Sequence, residues 1–567
     1  MTRLRILSLS ILLLLFTGVV WLLWVKPKPV DMAQFAPANS VLYLEVNSPV
    51  DVLTTLTNTD VWKLIIENGN APQLSAGNGW QQDFVRLTGI GPIHSVIMSR
   101  SQLAVVVTSF GATESGDTLN VKPEAALILE THTSERRIRA PVEALLEKFV
   151  AATYPAAQPE RELIDGATIV QWRETKGTGQ LVAAFIGSVV IIGNSRQVVE
   201  NCVAVVRRRA ESLKSNNDLV NARKSNGAAN ALVFGYVPAE NSSKLVSGGI
   251  PILLGQAPAD QQFQRLAQNA ASKLIGSITW TSRPYRGGIE DRYDIRIAQD
   301  VIQELSPQFG TPGPISPPAL TSEFYSISQY HLQDPLLAWQ GLKTSISRRI
   351  DTVAAVVLNT TLRSSLTRYG IEEPERFLGA VKSPLKTIRL DEDGERQLLI
   401  AAVTDRKKLT DLFSMTMRLK GTSADDPATS IMENADGSLS VALNESLVIL
   451  GHPVDVQQYY RIMRELATQA DEQPTPLTHF VESGARVHVV TYTNDAERVR
   501  SCMSAIMRTY QREISSELDA RFNRLPYAAT QTTLTQSGLT RMTRSPLGQF
   551  STIIPVLVPK GTQPPST

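Results

Sequence analysis

Ser383 and Lys386 are the pair whose types and spacing come nearest to a known catalytic pattern. A lysine one helical turn after a serine can activate its hydroxyl for acyl transfer, and Pro384 is compatible with the start of such a helix. Residues 385–390 instead have the pattern of a strand leading to a turn, and the partner motifs Ser-Asp-Asn and Lys-Thr-Gly are missing. About one such pair is expected by chance in a chain of this composition. We therefore predict no acyltransferase site.

Three acidic residues, Asp391, Asp393 and Glu395, surround an Asp-Gly turn signal and offer oxygen ligands for a cation. A twelve-residue calcium loop requires a glutamate at its end, and this segment does not supply the ligands of such a loop. The sequence therefore predicts a solvated hairpin tip here rather than a metal site.

The histidines and cysteines do not form a metal-binding pattern. No histidine pair has the His-Glu-x-x-His spacing of a zinc hydrolase, and the chain contains no Cys-x-x-Cys. A single histidine such as His488, inside an apolar run, is more often a hydrogen-bonded structural residue than a ligand. No metal site is predicted from the six histidines, which are His94, His132, His331, His452, His479 and His488.

Cofactor and nucleophile motifs are also missing from the sequence. It has no Gly-x-Ser-x-Gly elbow, no Walker loop and no Gly-x-Gly-x-x-Gly. Aromatic residues make up only 6% of the chain and are dispersed, so packing explains them better than a ligand platform. We predict no catalytic or cofactor-binding residue. The aromatic residues considered for a ligand surface are Trp280, Tyr285, Tyr293 and Trp339.

Charge and cysteine content limit the partners further. The 56 basic and 54 acidic residues give a net charge of +2, which provides no reason to expect a nucleic-acid partner. Cys202 and Cys502 each fall on an apolar stripe with helical spacing. This pattern predicts two buried thiols in separate domains, although one disulfide between them is also compatible with the sequence.

The uncharged run 6–25 is long enough to cross the hydrocarbon core of a bilayer as a helix. Arg3 and Arg5 precede it, and no small-x-small cleavage site follows, so an uncleaved signal anchor is favoured over a cleaved signal peptide. The positive-inside rule gives a small bias to a cytoplasmic N-terminus. We predict a single-pass inner-membrane protein whose bulk is periplasmic.

Proline and glycine divide the rest of the chain. The tract 307–318 contains five prolines and two glycines, a composition that disfavours helices and central strands. The predicted segments are a short tail (1–5), the anchor (6–25), a linker (26–35), a first module (36–306), a proline- and glycine-rich linker (307–318), a second module (319–559) and a flexible tail (560–567).

The two predicted modules share short patterns in the same order, which suggests an internal repeat. The best match has six identities at a constant offset of 258. These identities join Ala184, Ser188, Val190, Ile191, Gly193 and Val198 to Ala442, Ser446, Val448, Ile449, Gly451 and Val456.

Alternating apolar runs and turn signals predict the fold class. Asp-Gly pairs at 165–166, 393–394 and 436–437 lie between such runs and are typical of hairpins. Hairpins imply antiparallel pairing, so the expected class is α+β. The predicted architecture is an N-terminal transmembrane helix followed by two related modules, each an antiparallel sheet with helices packed on one face.

This layout resembles an uncharacterised bacterial family of exported, N-terminally membrane-anchored proteins, known only as a domain of unknown function. The resemblance rests on Pro37-Ala38 before the strand 41–44, on the strand 188–193 before a helix, and on the segment 537–548. It covers both predicted modules. It implies a bacterial envelope protein and supplies no catalytic residues.

The sequence therefore favours a non-enzymatic binding or scaffold protein of the bacterial envelope, held by residues 6–25, with a protein partner there. Two alternatives stay open. One is an envelope hydrolase whose site is assembled from distant residues. The other is a carrier of a lipid or another apolar ligand, which would need a continuous apolar cavity between sheet and helices.

Overall fold

The structure is a computed structural model of the 567-residue chain. The residues that it describes are 28–67, 100–115, 118–154, 157–174, 179–245, 272–315, 317–318, 320–321, 323–350, 352–422, 428–468, 479–480, 482, 484–509 and 513–557.

Twenty of the strands in these residues belong to one large, mostly antiparallel sheet, and β11 and β19 form a separate pair. The strands are β1 (Leu42–Val46), β2 (Gln102–Ser115), β3 (Thr118–Glu130), β4 (Pro159–Ile164), β5 (Ala167–Arg173), β6 (Gln180–Ile186), β7 (Val189–Gly193), β8 (Val233–Val237), β9 (Ile275–Tyr285), β10 (Gly288–Ile297), β11 (Gly313–Pro314), β12 (Ser326–Tyr330), β13 (Val381–Arg389), β14 (Gln397–Val403), β15 (Met417–Thr422), β16 (Ser430–Asn434), β17 (Ser440–Leu443), β18 (Leu447–Gly451), β19 (Arg486–Val487), β20 (Val489–Thr493), β21 (Ala528–Thr535) and β22 (Gly538–Ser545).

Helices fill many of the connections between these strands. They are α1 (Pro49–Thr57), α2 (Asp60–Glu67), α3 (Glu135–Thr153), α4 (Arg196–Val206), α5 (Asn217–Ser225), α6 (Ser242–Lys244), α7 (Gln299–Phe309), α8 (Pro335–Ser347), α9 (Thr352–Thr367), α10 (Pro374–Leu378), α11 (Arg406–Phe413), α12 (Pro453–Thr468), α13 (Ala496–Thr509), α14 (Ser516–Phe522) and α15 (Phe550–Leu557).

The chain divides into two compact units that are not continuous in sequence. The first contains the described residues within Met1–Leu53, Gly77–Thr108 and Glu124–Asn217. The second contains those within Thr54–Ala76, Ser109–Pro123 and Asp218–Thr567.

In the first unit, β3, β7, β6, β5 and β4 lie side by side in that order, each antiparallel to the next. Asp165 and Gly166 form the two-residue turn between β4 and β5, both with positive φ (56° and 73°), which confirms the hairpin predicted there. The apolar stripe of α3 packs with Trp172 and Phe185 into the core of this unit.

The second unit contains a run of thirteen of the described strands, in which every neighbouring pair is antiparallel. Three buried clusters line this unit, and one of them joins Val61 and Trp62 of α2 to α13 and α14. The strand order is β15, β16, β17, β18, β14, β13, β12, β20, β21, β22, β10, β9 and β8.

This strand order shows that the prediction of two separate modules is wrong. β10 falls in the predicted first module and β22 in the second, yet they pair over eight residues, from Ile289 opposite Ser545 to Arg296 opposite Gly538. A strand edge satisfies its backbone groups by pairing with another edge, and local sequence patterns do not specify which two edges meet. The strands belong to one large sheet rather than to two modules.

The predicted transmembrane segment, 6–25, lies outside the described residues. Among the helices that the structure does describe, none has both the length and the apolar composition needed to cross a bilayer.

The proline-rich tract carries regular structure that its composition disfavours. Pro307 lies within the last turn of α7, and Gly310 follows that helix with a positive φ of 70°. Gly313 and Pro314 then form β11, which pairs with β19. A proline is tolerated in so short a strand, where few ladder hydrogen bonds are lost.

The six identities at the offset of 258 occupy equivalent places in two local strand orders. The order β3, β7, β6, β5, β4 in the first unit has the same topology as β14, β18, β17, β16, β15 in the second. Gly193 ends β7 and Gly451 ends β18, and a Cβ on either glycine would crowd a backbone carbonyl of the neighbouring strand. The closest obstacles are the Val198 and Val199 side chains at Gly193, and the Leu398 side chain with the Gln397 carbonyl at Gly451. Lack of space for a Cβ therefore explains the glycine at both positions.

Candidate functional site

Ser383 and Lys386 both lie on β13, which begins four residues before the strand predicted at 385–390, and not at a helix start. The Ser383 hydroxyl donates to the carbonyl of Tyr330 (3.1 Å) and accepts from the N–H of Leu332 (3.1 Å). Burial lowers the pKa of Lys386. The serine is therefore used to join β13 to the end of β12, and these contacts do not form a nucleophile–base pair.

The acidic group near Gly394 stabilises its own turn. Asp391 accepts hydrogen bonds from the N–H groups of Gly394 (2.7 Å) and Arg396 (3.0 Å), while Asp393 and Glu395 are exposed. This arrangement confirms the predicted hairpin tip. Among the described residues, no three histidine, cysteine or acidic side chains are grouped so that they could hold a metal ion.

His488 has the structural role that the sequence predicts. Its Nδ1 accepts from the N–H of Leu534 (3.1 Å), so the ring donates from Nε2 to the carbonyl of Gly310 (3.2 Å). Both ring nitrogens are therefore used to hold backbone segments together.

The prediction of two buried, unpaired thiols is confirmed. Cys202 and Cys502 are both free and fully buried, and burial raises the pKa of each to about 12. Thiols with such a pKa stay protonated near neutral pH, so neither is a nucleophile.

The aromatic residues considered above serve packing and hydrogen bonding. Trp280 stacks on Tyr293 with ring centroids 6.1 Å apart, and its Nε1 donates to Asp291 (2.9 Å). The Tyr285 hydroxyl donates to Glu482 (2.9 Å). Trp339 lines one cavity of the structure, and Tyr285 packs on Phe480, which lines another.

That cavity, which we call the Phe480 cavity, lies in the second unit and has a volume of about 530 Å³. Such a volume is typical of small-molecule sites. Its lining consists of Asp60, Val61, Lys63, Leu64, Gly287, His479, Phe480, Arg521, Arg524, Leu525, Pro526 and Pro546.

A tight turn positions one wall of the Phe480 cavity. Arg286 and Gly287 connect β9 to β10 with φ values of 40° and 75°, the two-residue turn that suits the twist of a hairpin. The N–H of Asp60 donates to the carbonyl of Gly287 (2.8 Å), and Nε2 of His479 donates to the carbonyl of Arg286 (2.7 Å). The turn thus holds the start of α2 and the His479–Phe480 segment together.

The floor of the Phe480 cavity is apolar and its rim is basic. Val61, Phe480 and Leu525 are at most 5% exposed. Three cationic side chains and one carboxylate belong to the lining, which are Lys63, Arg521, Arg524 and Asp60.

The rim cations differ in their partners. Lys63 Nζ lies 2.9 Å from the Asp60 carboxylate, and an Arg521 guanidinium nitrogen lies 3.0 Å from Glu517. Arg524 is exposed and has no ion pair within the described part of the chain. It is therefore the rim cation most available to a ligand.

A buried ionic network supports the floor. The Phe480 ring packs against Tyr285 (centroids 6.5 Å apart), and the Arg544 guanidinium lies 4.4 Å from the Tyr285 centroid. Arg544 pairs with Glu290 (2.8 Å) and Glu482 (2.6 Å), and its hydrogen bond lowers the pKa of Glu482. Burial, together with the hydrogen bond to Glu482, raises the pKa of Tyr285.

A second cavity of the same unit, about 460 Å³, is lined mostly by polar residues, although its polar and apolar surfaces are similar in area. Arg292 makes two hydrogen bonds to Asp294 (2.8 and 3.1 Å), and the Thr540 hydroxyl donates to the same carboxylate (2.6 Å). Asn226 donates to the Thr279 hydroxyl (3.1 Å). Many polar groups of this cavity, which we call the Asp294 cavity, are therefore already paired with one another.

The Phe480 cavity was not predictable from the sequence. His479 of its lining and the neighbouring Tyr285 were considered there for other reasons, and the lining residues come from segments separated by long stretches of chain. The usable local signal is Tyr285-Arg286-Gly287-Gly288 between two alternating runs, which predicts the turn but not what packs on it.

Comparisons with known proteins identify no family. No family model matches the chain, and no curated protein matches it. The structure of crystal form III of TP0453 is similar over 52% of this chain and 91% of that chain, with 9% identity and a TM-score of 0.24. A similarity at this level carries no argument about fold or function.

Proposed function

We propose that this protein is a non-enzymatic binding protein that holds a small ligand in the Phe480 cavity. The observation that carries the proposal is a 530 Å³ space with a buried apolar floor and a basic rim. Burial of apolar ligand surface against Val61, Phe480 and Leu525 would supply most of the affinity.

The chemistry of the described reactive groups supports a non-enzymatic role. The Ser383 hydroxyl is hydrogen-bonded to backbone, and both thiols are buried with raised pKa values. The His488 ring holds two backbone segments. Ser383, His488 and the two cysteines thus each have a structural role in the described part of the chain.

We also propose that the protein acts at the inner membrane, with residues 6–25 as its anchor and the bulk of the chain in the periplasm. The uncharged run and the preceding Arg3 and Arg5 support this location. A protein partner in the envelope is compatible with it, and a net charge of +2 offers no support for a nucleic-acid partner.

Calorimetric titration of the full chain in nanodiscs tests the binding function. The probes are 1-octanol and octyl phosphate below their aggregation limits, with empty nanodiscs as the blank. At least one probe should bind saturably at one site. Leu64→Trp replaces an aliphatic side chain of the cavity wall with a bulky indole ring and should weaken that binding at least tenfold.

Leu337→Trp is the matched control, because Leu337 is 46% exposed on α8 and does not belong to the cavity lining. This variant should bind as the parent does. Absence of saturable binding for both probes, or equal binding by the Leu64→Trp variant, would contradict the proposal.

A further inference from the structure

We infer that the ligand of the Phe480 cavity is an amphipathic anion, an alkyl or acyl chain carrying a phosphate or carboxylate headgroup. This inference rests on the proposed function and names its ligand class. The inference follows from the lining, which combines apolar residues with basic side chains in a single cavity.

The apolar part of the ligand is specified by the floor. Val61 and Leu64 lie one helical turn apart on α2 and both line the cavity, opposite the segments that bring Phe480 and Leu525. An alkyl chain placed against the apolar part of the lining, which includes Leu64 and Pro546, would leave water. A purely polar ligand would gain nothing from these contacts.

The charged part of the ligand is specified by the rim. Lys63 lies between Val61 and Leu64 in sequence and is exposed, and Arg524 directly precedes the buried Leu525. A cation is therefore adjacent to the apolar floor on two different segments. The one acidic side chain of the lining, Asp60, is already paired with Lys63.

This charge balance selects against other ligand classes. Of the three cations, Lys63 is paired with Asp60 and Arg521 with Glu517, and Arg524 has no ion pair in the described part of the chain. The charge of Arg524 therefore disfavours a cationic headgroup. A neutral headgroup would leave the guanidinium of Arg524 without a new partner, whereas a phosphate or carboxylate can accept two hydrogen bonds from it. The apolar floor and Arg524 together thus favour an amphipathic anion over a neutral amphipath.

The test compares three probes on the full chain in nanodiscs, which are octyl phosphate, 1-octanol and inorganic phosphate. Octyl phosphate should bind about tenfold or more tightly than 1-octanol, and inorganic phosphate should not compete at equal concentration. Arg524→Glu should weaken octyl phosphate binding at least tenfold and leave 1-octanol binding unchanged. The octanol result also shows that the variant is folded.

Arg541→Glu is the matched control, because Arg541 is exposed on β22 and is not part of the cavity lining. It should leave the affinity for octyl phosphate within twofold. Equal affinity for octanol and octyl phosphate, or an unchanged affinity in the Arg524→Glu variant, would overturn the inference while the proposed function stands. Equal binding of inorganic phosphate would also overturn it, and loss of all binding would remove the proposed function itself.

Discussion

The Phe480 and Asp294 cavities lie at opposite ends of the same four strands, β9, β10, β21 and β22, but their lining residues differ in polarity. β10 and β22 are antiparallel, so the Arg286–Gly287 turn lies beside the end of β22 near Ser545. The start of β22 at Gly538 lies beside Arg296, towards the other end of β10. The first end has an apolar floor, and the second is lined by paired polar groups.

This difference shows that the strands fix the positions of both cavities, whereas the helices and loops around the strands determine whether the lining is apolar or polar. At the Phe480 end, α2, residues 479–480 and residues 521–526 bring apolar and basic side chains. At the Asp294 end, the end of α5 and the start of α7 bring small polar ones. Ligand binding is therefore predicted at the first end, where apolar desolvation is available.

The largest effect should come from removing the cation beneath the Phe480 floor. Arg544→Met leaves the partly exposed Glu290 and Glu482 without their buried partner and should lower the free energy of unfolding by about 2–3 kcal/mol. Arg292→Met at the Asp294 end removes an ion pair that is about half exposed, so its cost should be below about 1 kcal/mol. Urea unfolding of both variants measures the two values. Similar losses of unfolding free energy in the two variants would contradict the expected difference between the two ends.

A pH effect should separate the same two ends. Asp291 on β10 accepts from the N–H of Gln549 (2.8 Å) and thereby anchors the loop that contains Pro546 of the Phe480 cavity. Burial raises the pKa of Asp291 to about 6, above the ordinary value of 3.8. The native state therefore holds this proton more tightly, and the stabilisation is present below about pH 4 and lost as the pH rises through 6.

The shift of about two units corresponds to about 3 kcal/mol. The asparagine of the Asp291→Asn variant cannot titrate. Between pH 4 and pH 7, the free energy of unfolding of the parent should therefore decrease by about 3 kcal/mol more than that of the variant. Urea unfolding at several pH values compares the two slopes. Parallel curves for parent and variant would show that Asp291 is not the group responsible.

A smaller effect is expected at the turn that holds the Phe480 wall. Gly287 has a φ of 75°, and a Cβ there would overlap the Asp60 carboxylate. Gly437 has a similar φ of 71°, but a Cβ there would have nothing within 4 Å. Gly437→Ala should therefore cost about 1 kcal/mol from backbone strain alone. Gly287→Ala should cost up to about 1 kcal/mol more, because the exposed Asp60 side chain must turn away and lose its contact with Lys63. Equal losses in urea unfolding would mean that α2 adapts to the turn without strain.

The local elements of this fold were accessible from the sequence, and the pairing of distant edges was not. Helical periodicity predicted that Cys202 and Cys502 are buried, and the Asp-Gly signal predicted the hairpin between β4 and β5, because both patterns depend on neighbouring residues. The pairing of β10 with β22 joins positions about 250 residues apart, and it depends on which edges remain open once the rest of the sheet has formed.

Less of the candidate site than of the fold could be predicted from the sequence. The hydrogen-bonded surroundings of Ser383 and His488 agree with the sequence patterns, because strands and single histidines have predictable local surroundings. The Phe480 cavity arises where α2, the Arg286–Gly287 turn and the end of α14 meet. Space between elements has no sequence pattern of its own, so the cavity required the structure.

The most direct test of the central claim is an anomalous-diffraction map of crystals of the full chain grown with 8-bromooctyl phosphate. The account predicts one bromine peak in van der Waals contact with Phe480 or Val61, and phosphate density at Arg524. A bromine peak in the Asp294 cavity, or an empty Phe480 cavity at saturating ligand, would contradict it.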